Sequence, residues 1–239
     1  MNMIGFSTGA LALGDFRKAL VLMAGKNLPA VELSALRVAE LPDLIDAIPF
    51  LGLREFRYVA VHAPSSFDVD QEIEIVGLLR QIRPEWKIIL HPDTIHNPEC
   101  WRVFGDQLLL ENMDRRKPDG RSAEELARWF EKLPSAQLCF DLAHAQQLDT
   151  TMTESYVILK RFGERLGQIH ISQLDSSSHH RPLSVGSVRA YSEISWLFPP
   201  DVPFIIESRV SPEEMDREVQ RVEEVLSSDE SSVPHSIPA

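Results

Sequence analysis

QLCFDLAH, residues 137–144, is an apolar run that closes on an acid, Asp141, and carries an imidazole three residues further on, at His144. A β-strand is typically about five or six residues long, and one buried on both faces shows as a continuous apolar run. The same design recurs on either side. Upstream stand QLLLENMD (107–114) with Glu111, KIILHPDTI (87–95) with His91 and YVAVHAPSS (58–66) with His62. Downstream stand GQIHISQLD (167–175) with His170 and PFIIESRV (203–210) with Glu207. A costly polar residue at the same end of run after run implies strands lying side by side with their tips directed at one place. Carboxylates and imidazoles gathered there are ligands of first-row divalent metals.

Around these runs, strand and helix patterns alternate along the chain. Strands are predicted at 3–7, 30–33, 58–62, 87–91, 107–111, 137–141, 167–171 and 202–207. Amphipathic helices are predicted at 15–25, 72–82, 123–133, 154–165 and 213–226, and a short one near 98–104. Ser122, followed by Glu124 and Glu125, reads as a helix N-cap, and so does Ser211 before Pro212, Glu213 and Glu214. Eight such units predict an α/β fold of the (β/α)8 TIM barrel type, a single domain over residues 1–226. The rival, a doubly wound open sheet, needs a Gly-rich phosphate turn after the first strand, and GFSTGAL lacks the GxGxxG order. The polar, Ser- and Pro-rich stretch 227–239 reads as a disordered tail in which His235 is idle.

Bulk composition narrows the class further. With 239 residues, 44% of them hydrophobic and 25% charged, the chain can build a large core. A formal charge of −12 disfavours a sequence-independent grip on nucleic acid, which needs clustered Lys and Arg. Cys100 and Cys139 form no metal-ribbon or CxxC pattern, and Cys139, inside a predicted strand, reads as a buried free thiol of a reducing compartment. No stretch is apolar for long enough to span a membrane, and residues 1–16 lack a secretory pattern, so the expected location is cytoplasmic. Oligomeric state stays open.

Glu111, Asp141, His170 and Glu207 close the last four predicted strands. Three carboxylates and one imidazole neutralise a divalent cation and leave coordination positions open for substrate; Mn2+, Zn2+ and Mg2+ all suit them. His62, His91 and His144 exceed what one metal needs, as does the tripeptide His179-His180-Arg181 in a Ser-rich loop. These extra groups could hold a second or third metal or hydrogen-bond a substrate. Arg115, Arg116, Lys117 and Arg121 follow the fifth strand on the expected active-site side and could bind one phosphate group, with a solvated basic loop the favoured reading.

In order and spacing, VHAP, LHPD, LEN (Leu110, Glu111, Asn112), FDLAH, IHIS and IIES resemble the xylose isomerase-like barrel superfamily. That superfamily groups sugar phosphate isomerases and epimerases with endonuclease IV. The resemblance covers the chain up to about Leu226. In the isomerase branch it implies that Glu111, Asp141, His170 and Glu207 hold one divalent metal, while the two glutamates exchange the substrate proton. In the endonuclease IV branch it implies three zinc ions. Glu111 would then bridge two, His62 and His91 would sit on one, Asp141, His170 and Glu207 on the other, and His144 and His180 would help hold the third. The departures fall on this third metal and its loop. Ser178 stands where that branch has Asp, the HxxD pattern becomes His170-Ile171-Ser172-Gln173, and the GxG becomes Ser184-Val185-Gly186.

The favoured reading is a metal-dependent isomerase or epimerase of a small sugar, sugar phosphate or related polyol. It would act by proton transfer through a metal-stabilised enediolate, with Glu111 and Glu207 as acid and base. Asn112, His179, Arg181 and Arg209 are the candidate substrate contacts. The alternative is an endonuclease IV-like multinuclear zinc phosphoesterase, with the charge arguing against DNA. A second alternative is a metal-binding barrel without turnover.

Overall fold

The strands β1 (Ile4–Ser7), β2 (Ala30–Ser34), β3 (Tyr58–His62), β4 (Lys87–Leu90), β5 (Leu108–Glu111), β6 (Gln137–Asp141), β7 (Leu166–Ile171) and β10 (Phe204–Ile206) form a closed barrel. A separate antiparallel pair, β8 (Gln173–Leu174) and β9 (His180–Arg181), makes a small hairpin after β7. The computed structural model describes residues 2–227. Around the barrel the order is β1-β10-β7-β6-β5-β4-β3-β2, with every neighbouring pair parallel. This is a (β/α)8 TIM barrel.

Alternation along the strands explains why so much of each run is apolar. One set of side chains, including Val59, Val61, Ile88, Leu90, Leu108, Leu110, Leu138 and Phe140, packs outward into the main core beneath the helices. The alternate set, Ala60, Ile89, Leu109 and Cys139, forms a second small cluster inside the barrel. Two residues on from each of these stand His62, His91, Glu111 and Asp141, so the interior turns polar one layer nearer the C-terminal mouth. Ser7 and Ser34 finish β1 and β2 with their hydroxyls 2.9 Å apart. Every barrel strand therefore carries a polar side chain at its end or within one residue of it, at the mouth where barrel enzymes carry their sites.

Several boundaries differ from the sequence expectation for visible reasons. β4 stops at Leu90 because the next residue but one, Pro92, has no N–H to extend the ladder and opens a short 3-10 turn. β10 begins only at Phe204, whose N–H donates to the Met3 carbonyl at 2.7 Å, since Pro203 before it has no donor. His91 and Glu207 thus lie one residue beyond their strands. The last helix runs Met215–Ser227, and residues 211–214 form a turn rather than the expected cap. Ser122 does cap its helix, Ala123–Lys132, by accepting from the Glu125 N–H. Helices at Leu41–Ala47, Leu142–Leu148 and Val185–Ser192 were not expected. Apart from Ser227, the expected tail and His235 lie outside the described residues. Among the described residues no helix is long and apolar enough to cross a membrane.

Candidate metal centre

Glu111 sits at the middle of the polar layer, 1% exposed, with imidazoles on both carboxylate oxygens. His62 Nε2 and His91 Nε2 lie 3.2 and 3.3 Å from Oε2; His144 Nδ1 and His170 Nδ1 each lie 3.3 Å from Oε1. The ends of β3, β4, β5 and β7 deliver Glu111 and three of these imidazoles, the helix Leu142–Leu148 delivers His144, and Glu207, just past β10, brings its Oε2 to 3.7 Å from His170 Nδ1. Asp141 Oδ2 is 4.0 Å from the same nitrogen, while Asp141 Oδ1 caps the helix Leu142–Leu148 by accepting the His144 N–H at 2.7 Å.

Two ligand groups emerge, each with donor atoms within 4.8 Å of one another. One is Glu111, Asp141, His170 and Glu207; the other is His62, His91 and Glu111. They share Glu111. The donor chemistry suits a divalent cation, and so do the unsatisfied atoms. Asp141 Oδ2, His170 Nδ1 and His91 Nδ1 are buried without a hydrogen-bond partner. Each such orphan costs about 1–3 kcal/mol unless something meets it. A cation among the four residues of the first group would meet the first two. His62 is also prepared: its Nδ1 donates to the Ala63 carbonyl at 2.6 Å, which leaves Nε2 on the Glu111 side.

Charges in the layer are strongly interdependent. Burial opposes ionisation of Glu111, but His170 and His91 outweigh it and hold the carboxyl well below its ordinary value. Burial likewise opposes a charged His62, yet its hydrogen bond to Glu111 and the charge of Glu32 lift it to about 9. Glu207 goes the other way. Burial pushes it up to about 8, His170 opposes, and the negative charges of Glu111 and Asp141 add. His180 is driven down to about 3 by burial and by His144. Protons thus occupy places that a metal ion would take, and metal binding requires their release.

The remaining sequence candidates are placed as follows. His144 donates from Nδ1 to the Asn112 carbonyl at 2.9 Å, and its ring lies 5.7 Å from that of His180. His180 Nδ1 lies 2.8 Å from Ser172 Oγ; neither histidine belongs to the two ligand groups. Asn112, fully buried, brackets the backbone of Asp141, donating to its carbonyl and accepting from its N–H. Both amide atoms of Asn112 are thus engaged with the Asp141 backbone. His179 and Arg181 turn to Asp175, at 3.6 and 2.9 Å. Arg209 faces the site cavity and makes no hydrogen bond or ion pair among the described residues.

The cavity over the centre has a volume of about 210 Å³. Beside the ligands, Ser7, Ser34, Arg116, Lys117 and Arg209 line it. Arg116 and Lys117 therefore belong to the site wall, which corrects their reading as a solvated loop. Each is tied to an acid, Arg116 to Asp114 and Lys117 to Asp93 at 3.0 Å. Sequence reasoning also passed over Glu32, fully buried in β2, whose Oε2 lies 2.8 Å from His170 Nε2. Its signal was an acid inside the apolar run AVELS, the same signal as elsewhere but away from the strand tip.

Comparison with known proteins fits this geometry. The xylose isomerase-like TIM barrel family matches residues 99–223, just over half of the chain. The chain belongs to that family. Its structural likenesses lie within the same architecture. The IolI protein, solved with a bound zinc atom, superposes with a TM-score of 0.68 at 14% identity, covering 96% of this chain and 100% of that one. A xylose isomerase domain protein from Alicyclobacillus acidocaldarius gives 0.64 at 13%, covering 95% and 100%. The 3-keto-D-glucoside 4-epimerase YcjR from E. coli gives 0.56 at 14%, covering 94% and 99%. At such identities the likeness speaks for the fold. No curated protein matches the chain.

Proposed function

We propose that this family member is a divalent-metal-dependent isomerase or epimerase of a small sugar or sugar phosphate, acting by proton transfer next to a carbonyl. The observation that carries the reading is the convergence of Glu111, Asp141, His170 and Glu207 on one point, with Glu111 and Glu207 lining a small cavity. The 3-keto-D-glucoside 4-epimerase and the xylose isomerase domain protein among the structural likenesses favour the same class. Glu111, Asp141, His170 and Glu207 would hold the cation. When bound, it supplies a Lewis acid that polarises oxygens of the substrate.

The protein side chains then do the proton work. Glu111 and Glu207 both line the cavity, and they come from strands separated around the barrel by β6 and β7. Two carboxylates reaching one carbon from different sides can remove a proton on one face and return one on the other, as epimerisation requires. Glu207, with 13% of its side chain exposed against 2% for Glu111, is the more accessible to substrate. Ser7 and Ser34 offer hydroxyls to the sugar, and Arg209 offers an unengaged cation to a phosphate or hydroxyl. A cavity of about 210 Å³ has room for a ligand of monosaccharide size.

The test is hydrogen exchange. Metal-loaded protein, incubated in deuterated water with ketoses, keto-sugars and their phosphates, should place deuterium at the carbon beside the carbonyl. Glu207→Gln should abolish that exchange. Absence of exchange across the panel, with cleavage of a small phosphodiester instead, would support a second reading. One observation favours it: the group His62, His91 and Glu111 shares Glu111 with the first, as a two-metal hydrolytic site does. Zinc content divides the two, one ion per chain for proton transfer and two or three for hydrolysis.

A further inference from the structure

Inside the barrel, below the polar layer, most alternate positions are apolar: Ala60, Ile89, Leu109 and Cys139. Glu32 and Gln168 interrupt them, both 0% exposed. A carboxylate in such a place is expensive unless charged or hydrogen-bonded partners offset its desolvation, and an apolar residue would fill the space without that cost. No lysine or arginine reaches Glu32; its ion-pair partner is His170. The contacts form a column. Tyr58 donates its hydroxyl to Gln168 Oε1 at 2.8 Å, Gln168 Nε2 donates to Glu32 Oε2 at 2.7 Å, and the same oxygen lies 2.8 Å from His170 Nε2.

We propose that Glu32 is a positioning residue for the metal ligand His170, accepting the Nε2 proton and so committing Nδ1 to the cation. The inference rests on the metal reading of the site and adds a residue to it. Two lone pairs facing each other at 2.8 Å would repel, so a proton stands between Glu32 Oε2 and His170 Nε2. The orientation of Gln168 reinforces this. Were its amide reversed, its oxygen would face the Glu32 carboxylate and its NH2 would face the Tyr58 hydroxyl, which now donates to the oxygen. Gln168 Nε2 also lies 2.8 Å from His170 Nε2, and with the proton on that nitrogen both N–H groups are directed at the one Glu32 oxygen.

At the other end of the ring, His170 Nδ1 is the atom without a hydrogen-bond partner, and it faces Glu111, Glu207 and Asp141. The imidazole is therefore held at one nitrogen by a carboxylate outside the ligand set and presents the other to the centre. Carboxylate–imidazole–metal arrangements of this kind fix the ring, set the tautomer and raise the basicity of the ligating nitrogen.

Zinc titration and 15N NMR of the imidazole nitrogens, on wild-type and Glu32→Gln protein, test the inference without recourse to activity. Zinc-loaded wild-type should show His170 with its proton on Nε2 and Nδ1 bound to metal. Glu32→Gln should weaken zinc binding by about 10–100-fold while the fold persists. A proton on Nδ1 in the zinc-loaded wild-type would overturn the inference, and so would unchanged affinity in the folded variant. If the variant fails to fold, the wild-type spectrum still decides. Wild-type protein that takes up no zinc would overturn the metal reading itself together with this inference; failure in the variant alone leaves the metal reading intact.

Discussion

His62 Nε2 stands 3.2 Å from Glu111 Oε2, while the opposite side of the same ring is anchored on the Ala63 carbonyl. The pair explains how so many acids and imidazoles coexist in the barrel mouth before a cation arrives. Protonated His62 offsets the buried Glu111 charge, and a metal ion would take over that role once the proton leaves.

That exchange makes stability depend on pH. In the metal-free protein His62 titrates near 9 against an ordinary 6.5, and Glu207 near 8 against 4.5. Both folded values are raised, so at these two groups the folded chain holds more protons than the unfolded one and their contribution to stability falls as pH rises. The lowered His180 and His91 act the other way only below about 6.5. The His62 contribution is whole below 6.5 and gone above about 9, and that of Glu207 fades between 4.5 and about 8. Thermal unfolding in chelator at about pH 7, 8 and 9 should show a declining melting temperature. Zinc should add a gain that grows with pH, because fewer protons remain to be displaced. A metal-free melting temperature rising over this range would contradict the assignment.

Glu111→Gln and Glu207→Gln should each abolish turnover, with a loss of at least about 100-fold from general acid–base catalysis alone. They differ in metal content. Glu207→Gln should retain part of its metal, since Glu111, Asp141 and His170 remain. Rates and metal analysis of the two variants check this, and a wild-type rate in either would refute the two-carboxylate mechanism.

Arg209 and Arg181 should part company. Arg181 is held by Asp175, whereas Arg209 faces the cavity unengaged. For an anionic substrate, Arg209→Gln should raise KM by about 10-fold or more, the value of one charged hydrogen bond, with a smaller effect on kcat. Arg181→Gln should leave both nearly unchanged. Steady-state kinetics on the two variants make the comparison; equal effects would remove Arg209 from substrate binding.

Not every buried acid belongs to the site. Glu72, 2% exposed, accepts from the N–H groups of His96 and Asn97 and from Trp101 Nε1. It braces the short fourth unit, whose helix is only Pro98–Trp101. Glu72→Ala should destabilise the protein by about 1–3 kcal/mol, because those donors lose their acceptor. Zinc affinity should be unchanged. Urea unfolding measures the first and titration the second.

The parts legible in the sequence were those written locally. β3 and β6 run Tyr58–His62 and Gln137–Asp141, as their apolar runs indicate, because a strand buried on both faces has few polar positions to blur its edges. The tip at His91 drifted where Pro92 ended the ladder, and the start of β10 moved to Phe204 behind Pro203. The helix Leu41–Ala47 escaped because it is short and carries Pro42 in its first turn. Glu32 escaped for another reason. Its meaning lies in His170, which stands 138 residues away in sequence and meets it only inside the closed barrel. The division of the cavity arginines was equally hidden, since Arg209 and Arg181 differ in their neighbours and not in their local patterns.

The central claim is a divalent metal held by Glu111, Asp141, His170 and Glu207. Native mass spectrometry of the purified protein, loaded with zinc and freed of excess, tests it most directly. At least one zinc ion should stay on each chain, and Asp141→Asn combined with His170→Gln should remove it without unfolding the barrel. Wild-type protein that retains no zinc, manganese or magnesium, or a double variant that keeps its full complement, would contradict the assignment.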